Sequence, residues 1–186
     1  MVLIIAEAGI NHNGCMKIAK QLIDSAKECG ADIVKFQSFK TEDLVIPSAT
    51  KASYQIRNTG KNEPQLNMLK NLELTSEEQI QLKEYCEERR IEFLSTAFDS
   101  KSLNFLNKIK LKRFKIPSGE ITNLPYLRVV GSFKKPIILS TGMSNIKEIR
   151  AALNELYRAG SNKKNITVLH CTTEYPAPLK DINLNA

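Results

Sequence analysis

The sequence predicts an α/β fold built on a parallel sheet, and two observations carry that prediction. Six short apolar, mostly β-branched runs alternate with stretches of helical periodicity, joined for the most part by short connectors. The runs are apolar almost throughout instead of alternating, as strands covered on both faces are. With 186 residues, the length suggests one domain able to bury a substantial core.

Strands are expected at 2–6, 33–36, 92–94, 113–116, 136–139 and 166–169. Between the first two, Ile18, Leu22, Ile23 and Ala26 mark one helical face, and Gly30 offers the left-handed residue that ends a helix. Thr75 and Glu78 form a capping box for a helix running through Ile80, Leu82, Tyr85 and Cys86. Asp99 caps a helix whose apolar face is Leu103, Leu106 and Ile109. Asn123 precedes a short helix with Pro125 in its first turn. Ser144 precedes another, with Ile146, Ile149, Leu153 and Leu156 on one face and Gly160 at its end. The long polar connection 38–74, containing Gly60 and Pro64, is too long for a plain connector and is expected to be functional or mobile, passing over one mouth of a barrel. A closed (β/α)8 barrel takes about 250 residues. Six units therefore fit either an incomplete barrel or an open doubly wound sheet, and composition does not choose between them.

Composition excludes several classes. No apolar run approaches the roughly 20 residues that cross a bilayer, and the opening Met1–Ala6 lacks the basic start and cleavage site of a signal peptide. Cys15, Cys29, Cys86 and Cys171 are widely spaced, which reads as reduced thiols in a cytosol, serving packing more than nucleophilic chemistry. The net charge of +7 is scattered, without an aromatic-rich basic stretch, so nucleic acid is not the expected partner. No His/Cys/Asp cluster has metal-ligand spacing.

Polar groups collect after each apolar run, at the carboxyl ends of successive parallel strands, where such sheets place their sites. Lys35 and Lys115 lie inside apolar strands, where a bare ammonium costs several kcal/mol unless paired. Either each pairs internally, with Glu7 or Glu120, or both face a shared anion. Hydroxyls of Thr96, Ser118 and Ser140, with backbone N–H groups around Gly119 and Gly142, suit a phosphate. Ser and Thr at strand ends also serve as helix caps, and His12 and His170 also serve as turn-shaping or hydrogen-bonded structural residues. Taken together, the residues describe a place for a small, multiply charged phosphorylated acid.

Six ordered motifs then carry a resemblance. Ile5-Ala6-Glu7-Ala8-Gly9-Ile10-Asn11-His12-Asn13-Gly14, Val34-Lys35-Phe36-Gln37-Ser38 and Phe93-Leu94-Ser95-Thr96-Ala97-Phe98 resemble, in order, segments of the sialic acid synthases. Phe114-Lys115-Ile116-Pro117-Ser118-Gly119-Glu120, Leu139-Ser140-Thr141-Gly142-Met143 and Leu169-His170-Cys171-Thr172-Thr173-Glu174-Tyr175-Pro176 continue the series. The Lys-Phe-Gln and Cys-Thr-Thr-Glu-Tyr-Pro variants resemble the branch of bacterial N-acetylneuraminate and legionaminate synthases. Ala97 stands where many relatives have Pro, and Thr173 where one branch has Asn, so its contact is the less certain one.

The resemblance implies that residues 1–186 are the N-terminal part of a (β/α)8 TIM-type barrel, cytoplasmic and homodimeric when complete. It implies condensation of phosphoenolpyruvate with an N-acetylmannosamine-type sugar to a nonulosonic acid plus phosphate. By motif position, Lys115, Thr96, Ser118 and Ser140 would hold the phosphate, and Lys35 and Gln37 would meet pyruvyl or sugar oxygens. Glu7 and Glu120 would bind sugar or handle protons, and Thr173 and Tyr175 would line the sugar side. The divalent metal such enzymes use, manganese or magnesium, would be held by histidines beyond the sixth strand, and His170 is not assigned as a ligand. The small C-terminal antifreeze-like (SAF) domain would also lie beyond. The chain alone is accordingly expected to be inactive, for want of metal activation of the aldehyde. Two rivals are another phosphoenolpyruvate-dependent sugar-acid synthase and a truncated, non-catalytic product that binds a ligand or partner.

Overall fold

The computed structural model describes residues 2–51, 56, 60, 64–173 and 177–185. Two compact units divide the chain, Met1–Ile109 and Lys110–Ala186.

The first unit runs β1 (Ile5–Gly9), α1 (Met16–Glu28), β2 (Ile33–Ser38), α2 (Thr41–Leu44), α3 (Gln65–Lys70), α4 (Ser76–Glu88), β3 (Glu92–Ala97) and α5 (Ser100–Lys108). Its strands are parallel, with β2 between β1 and β3. Ile33, Val34, Phe36 and Leu94 from the strands are fully buried, as are Ile23, Leu82, Cys86 and Leu106 from the helices. Each large apolar side chain so buried contributes roughly 1.5–3 kcal/mol. The β2–β3 ladder is unbroken from Ile33 opposite Glu92 to Ser38 opposite Ala97. The β1–β2 ladder breaks once: Glu7 lies opposite Lys35 and Gly9 opposite Phe36, leaving Ala8 as an extra residue. That is a bulge, which bends a strand and re-aims its side chains.

Several elements differ from the sequence expectation. β1 begins at Ile5, and Val2, Leu3 and Ile4 are exposed. Before the ladder starts, the Ile4 N–H donates to the Asp32 carboxylate at 2.8 Å. β2 and β3 extend beyond their apolar runs, so Gln37, Ser38, Ser95 and Thr96 are strand residues. On α4 the buried face turns toward Gln79, while Ile80 faces outward. The buried amide is satisfied: Ser38 Oγ donates to Gln79 Oε1 at 2.5 Å, and Gln79 Nε2 donates to the Leu74 carbonyl at 3.2 Å. The capping box of Thr75 and Glu78 is present, as is the Asp99 cap.

The connection between β2 and α4 carries its own apolar cluster, which a polar composition did not announce. Phe39, Met68 and Leu69 are buried there, with Ile10, Leu44, Val45, Leu72 and Phe98 packed against them. Residues 52–55, 57–59 and 61–63 of this connection lie outside the described residues. Its neck is tied by Glu73, whose carboxylate accepts from Lys40 Nζ at 2.8 Å, Thr41 N–H at 2.9 Å and Thr41 Oγ1 at 2.8 Å. Burial alone would raise the Glu73 pKa, but the hydrogen bonds from Lys40 and Thr41 outweigh it and hold the carboxyl below its usual range.

The second unit runs β4 (Phe114–Ile116), α6 (Leu124–Ser132), β5 (Ile137–Ser140), α7 (Ile146–Arg158) and β6 (Ile166–Leu169). Its strands are parallel, with β5 between β4 and β6. Phe114, Ile116, Leu127, Ile137, Leu139, Ala152 and Leu156 form its core. α6 and α7 approach closely at Gly131, where a Cβ would lie 2.6 Å from the Ala159 Cβ. The cap of α7 is Asn145, which forms a reciprocal box with Glu148 and leaves Ile146 exposed. Ser144 instead closes the preceding turn, its N–H donating to the Thr141 carbonyl at 3.2 Å. Among the described residues, no helix is long and apolar enough to cross a membrane.

Candidate functional site

Of the expected site residues, Glu7, Lys35 and Thr96 come together in the first unit, and Lys115, Ser118 and Ser140 gather in the second. In the first, Lys35 lies on β2, and its ammonium ion-pairs with Glu7 Oε2 of β1. It also donates to the Thr96 hydroxyl of β3 at 3.4 Å. The Lys35 side chain is only 10% exposed, whereas that of Glu7 is 45% exposed. This is the internal pairing that the sequence left open for Lys35. The cation is held in the sheet while its carboxylate partner keeps one edge toward solvent. Gln37 sits two residues along β2, on the same face as Lys35. The glycine after the bulge, Gly9, has φ +51°, and a Cβ there would lie 3.2 Å from Glu7 Oε1 and 3.7 Å from Gln37 Nε2.

In the second unit, Lys115 Nζ donates to the Ser140 hydroxyl at 2.5 Å and to the Ile116 carbonyl at 3.1 Å. Ser118 Oγ accepts from the Gly142 N–H at 2.9 Å. A Cβ on Gly142 would lie 2.9 Å from Thr173 Cγ2 and 3.0 Å from Ser118 Oγ, so any larger residue would have to displace these side chains. A cation, two hydroxyls and backbone N–H groups thus gather at the ends of β4 and β5. Such a set suits a phosphate dianion, because the hydroxyls and the ammonium can turn donors toward it and the ammonium adds charge. Glu120 follows Ser118 in the turn after β4, and its Oε2 accepts from the Asn123 side-chain amide at 2.7 Å. Thr173 is exposed, and Tyr175 lies outside the described residues.

Two features go beyond the sequence reading. Cys171 Sγ accepts from the Thr141 N–H at 3.3 Å, beside the Ser140 cluster. Burial would raise its pKa, but hydrogen bonds from Thr141 N–H, the Ser140 hydroxyl, Gly142 N–H and the Ser118 hydroxyl outweigh it and leave the thiol below its usual value. Its neighbourhood with Ser140 could have been found from the strand order, since Ser140 lies opposite Leu169. Cys86, by contrast, packs in the core, and Cys15 and Cys29 are exposed, which corrects the expectation that all four serve packing. The second feature is His12, fully buried. Its Nδ1 accepts from the Gly14 N–H at 3.0 Å, which puts the proton on Nε2, and that atom is buried without a hydrogen-bond partner among the described residues.

The fit to a divalent metal is poor. Among the described residues, no three His, Cys, Asp or Glu side chains gather where they could hold an ion. His170 Nε2 instead accepts from the Asn183 N–H at 3.1 Å.

Residues 22–186 match the NeuB family. The chain belongs to that family. The N,N'-diacetyllegionaminic acid synthase of Campylobacter jejuni is 53% identical over 184 residues, covering 99% of this chain and 55% of that protein. The enzyme of the same name from Legionella pneumophila is 49% identical over 185 residues, covering 98% of this chain and 52% of its own length. The chain therefore spans about half the length of these curated NeuB relatives. The crystal structure of the N-acetylneuraminic acid (sialic acid) synthetase of Leptospira borgpetersenii serovar Hardjo-bovis, in complex with citrate, superposes with a TM-score of 0.81 at 31% identity. That match covers 98% of this chain and 58% of the Leptospira chain. The fold is accordingly the α/β, TIM-type (β/α) class, and this NeuB chain supplies six βα strands of it.

Proposed function

We propose that this chain is the N-terminal barrel part of a synthase that condenses phosphoenolpyruvate with an N-acetylmannosamine-type sugar, yielding a nonulosonic acid and phosphate. The observation that carries the reading is the Lys115–Ser140 and Ser118–Gly142 cluster in a chain 53% identical to a diacetyllegionaminic acid synthase. The citrate complex of the Leptospira relative supports it, since citrate is also a multiply charged small acid.

In this reaction C3 of phosphoenolpyruvate bonds to the sugar aldehyde carbon, whose oxygen takes a proton and becomes a hydroxyl. Water adds to C2, and phosphate leaves with the bridging oxygen. Lys115, Ser118, Ser140 and Thr96 serve phosphate binding, donating to its oxygens and offsetting the charge that grows on departure. Lys35 stabilises developing negative charge on the pyruvyl or sugar oxygens, and Glu7 exchanges protons with them. Gln37 serves the pyruvyl or sugar oxygens with Lys35, Glu120 binds sugar or handles protons, and Thr173 serves the sugar. The divalent metal, manganese or magnesium, belongs to the complete enzyme. Its ligands are not among the described residues, and no step here is drawn through it. The complete protein is taken to be a cytoplasmic homodimer carrying the C-terminal SAF domain, with neither nucleic acid nor membrane as partner.

The test is calorimetric titration of the chain with phosphoenolpyruvate, beside Lys115→Met. Wild type should bind and the variant should lose at least tenfold in affinity, about 1.4 kcal/mol. Equal binding by both would overturn the assignment. Phosphate release by this chain with both substrates and manganese would support the chemistry, and would refute the expectation that the chain alone is inactive.

A further inference from the structure

The bulge in β1 does more than end a strand. It adds Ala8 between the Glu7–Lys35 pair and the Gly9–Phe36 pair, and the next residue takes a left-handed φ of +51°. The missing Cβ of Gly9 marks a notch with a carboxylate oxygen on one side and an amide nitrogen on the other. One Glu7 oxygen, Oε2, is committed to the Lys35 ammonium. The other, Oε1, is the atom that would meet the Cβ at 3.2 Å, tighter than ordinary van der Waals contact. A side chain at position 9 must therefore push the Glu7 carboxylate, and the nearly buried Lys35 depends on that carboxylate for its charge partner.

We infer that Gly9 is a positioning residue: the strand register sets Glu7 opposite Lys35, and the bare backbone after the bulge leaves the Glu7 carboxylate room to stay on Lys35 with its second oxygen presented beside Gln37. An acceptor oxygen next to a donor amide suits a substrate group offering a hydroxyl or N–H next to an oxygen. The role in catalysis rests on the function proposed above, whereas the seating of Glu7 on Lys35 does not.

Gly30 supplies a control matched for backbone strain. It too has a left-handed φ, +79°, but a Cβ there meets nothing within 4 Å. The experiment compares Gly9→Ala, Gly30→Ala and Glu7→Gln with wild type, measuring urea midpoints and the rate of Lys35 modification by reductive methylation. Both glycine variants should lose stability to a similar extent. Only Gly9→Ala should raise the Lys35 labelling rate, several-fold and toward that of Glu7→Gln. Equal labelling of Lys35 in the two glycine variants would overturn the inference. In the complete synthase of which this chain is the proposed N-terminal part, Gly9→Ala should lower kcat for phosphate release at least tenfold relative to Gly30→Ala, with KM for phosphoenolpyruvate changed much less. Altered labelling in a protein that neither binds nor turns over phosphoenolpyruvate would leave the seating intact and sink the proposed function alone.

Discussion

Replacing Gly142 with alanine puts a methyl group where the second unit has no room for one. The new Cβ would lie 2.9 Å from Thr173 Cγ2, 3.0 Å from Ser118 Oγ and 3.4 Å from the Thr172 carbonyl carbon. Gly142 is not left-handed, so the penalty is steric rather than conformational. Overpacking of this kind costs about 1–3 kcal/mol, and loosening the Gly142 N–H bond to Ser118 adds about 1 kcal/mol. Alanine returns roughly 0.4–1 kcal/mol by stiffening the unfolded chain. The net expectation is a loss of about 2 kcal/mol, or roughly 4–8 °C in Tm for a chain of this size. Displacing Ser118 also removes a hydroxyl from the phosphate cluster, and a hydrogen bond to a charged group is worth about 1.5–3 kcal/mol. Phosphoenolpyruvate affinity should fall roughly 10- to 100-fold by calorimetry. Gly131→Ala is the comparison, because its Cβ would strike Ala159 at the α6–α7 contact and no residue of the cluster. It should lose stability and keep affinity. If Gly142→Ala binds phosphoenolpyruvate as wild type does, the packing of Gly142 against Ser118 does not set the phosphate site.

Two further outcomes follow from buried titratable groups. Burial holds His12 neutral, pushing its pKa below the ordinary 6.5 against the opposing pull of the Glu78 carboxylate. Below about pH 6.5 the unfolded chain takes up a proton at this position that the folded chain resists. Stability is therefore full above that pH and falls as pH drops, by at most about 1.4 kcal/mol per unit. Urea midpoints between pH 7.5 and 5.5 should show this slope in wild type and a smaller one in His12→Asn; equal slopes would rule His12 out as its source. Among the cysteines, burial pushes the Cys86 thiol up to about 12, while hydrogen bonds lower Cys171. Iodoacetamide at pH 7 on the folded protein should modify Cys171 and spare Cys86, as read by peptide mass mapping. Modification of Cys86 ahead of Cys171 would contradict the assignment.

What the sequence made legible was whatever depended on local pattern. Thr75 with Glu78, Asp99 and Asn123 cap their helices as their types and spacing require, because a cap is decided within four residues. The β6 limits coincide with the apolar run at 166–169. What depended on partners was hidden. Residues 2–4 are as apolar as any strand yet lie outside the ladder, and Gln79 is buried because Ser38 and Leu74 satisfy its amide. In the site, the choice of residues was readable: charged side chains inside apolar strands have few innocent explanations. Their pairing was not. That Glu7 reaches Lys35 depends on two strands pairing in one register, and that Cys171 meets Thr141 depends on two strand ends lying side by side. Neither leaves a periodicity in the chain.

Glu73 gives the segment between β2 and α4 a particular freedom. Residues 40, 41 and 73 are fastened to one another, so the stretch between them begins and ends at a single knot. Insertions within it need not disturb the strand that carries Lys35, and doubling such a closed stretch costs only about 0.6 kcal/mol in chain entropy. Evolution can thus lengthen this border of the protein cheaply, provided that the knot and the apolar cluster around Met68 and Leu69 are kept.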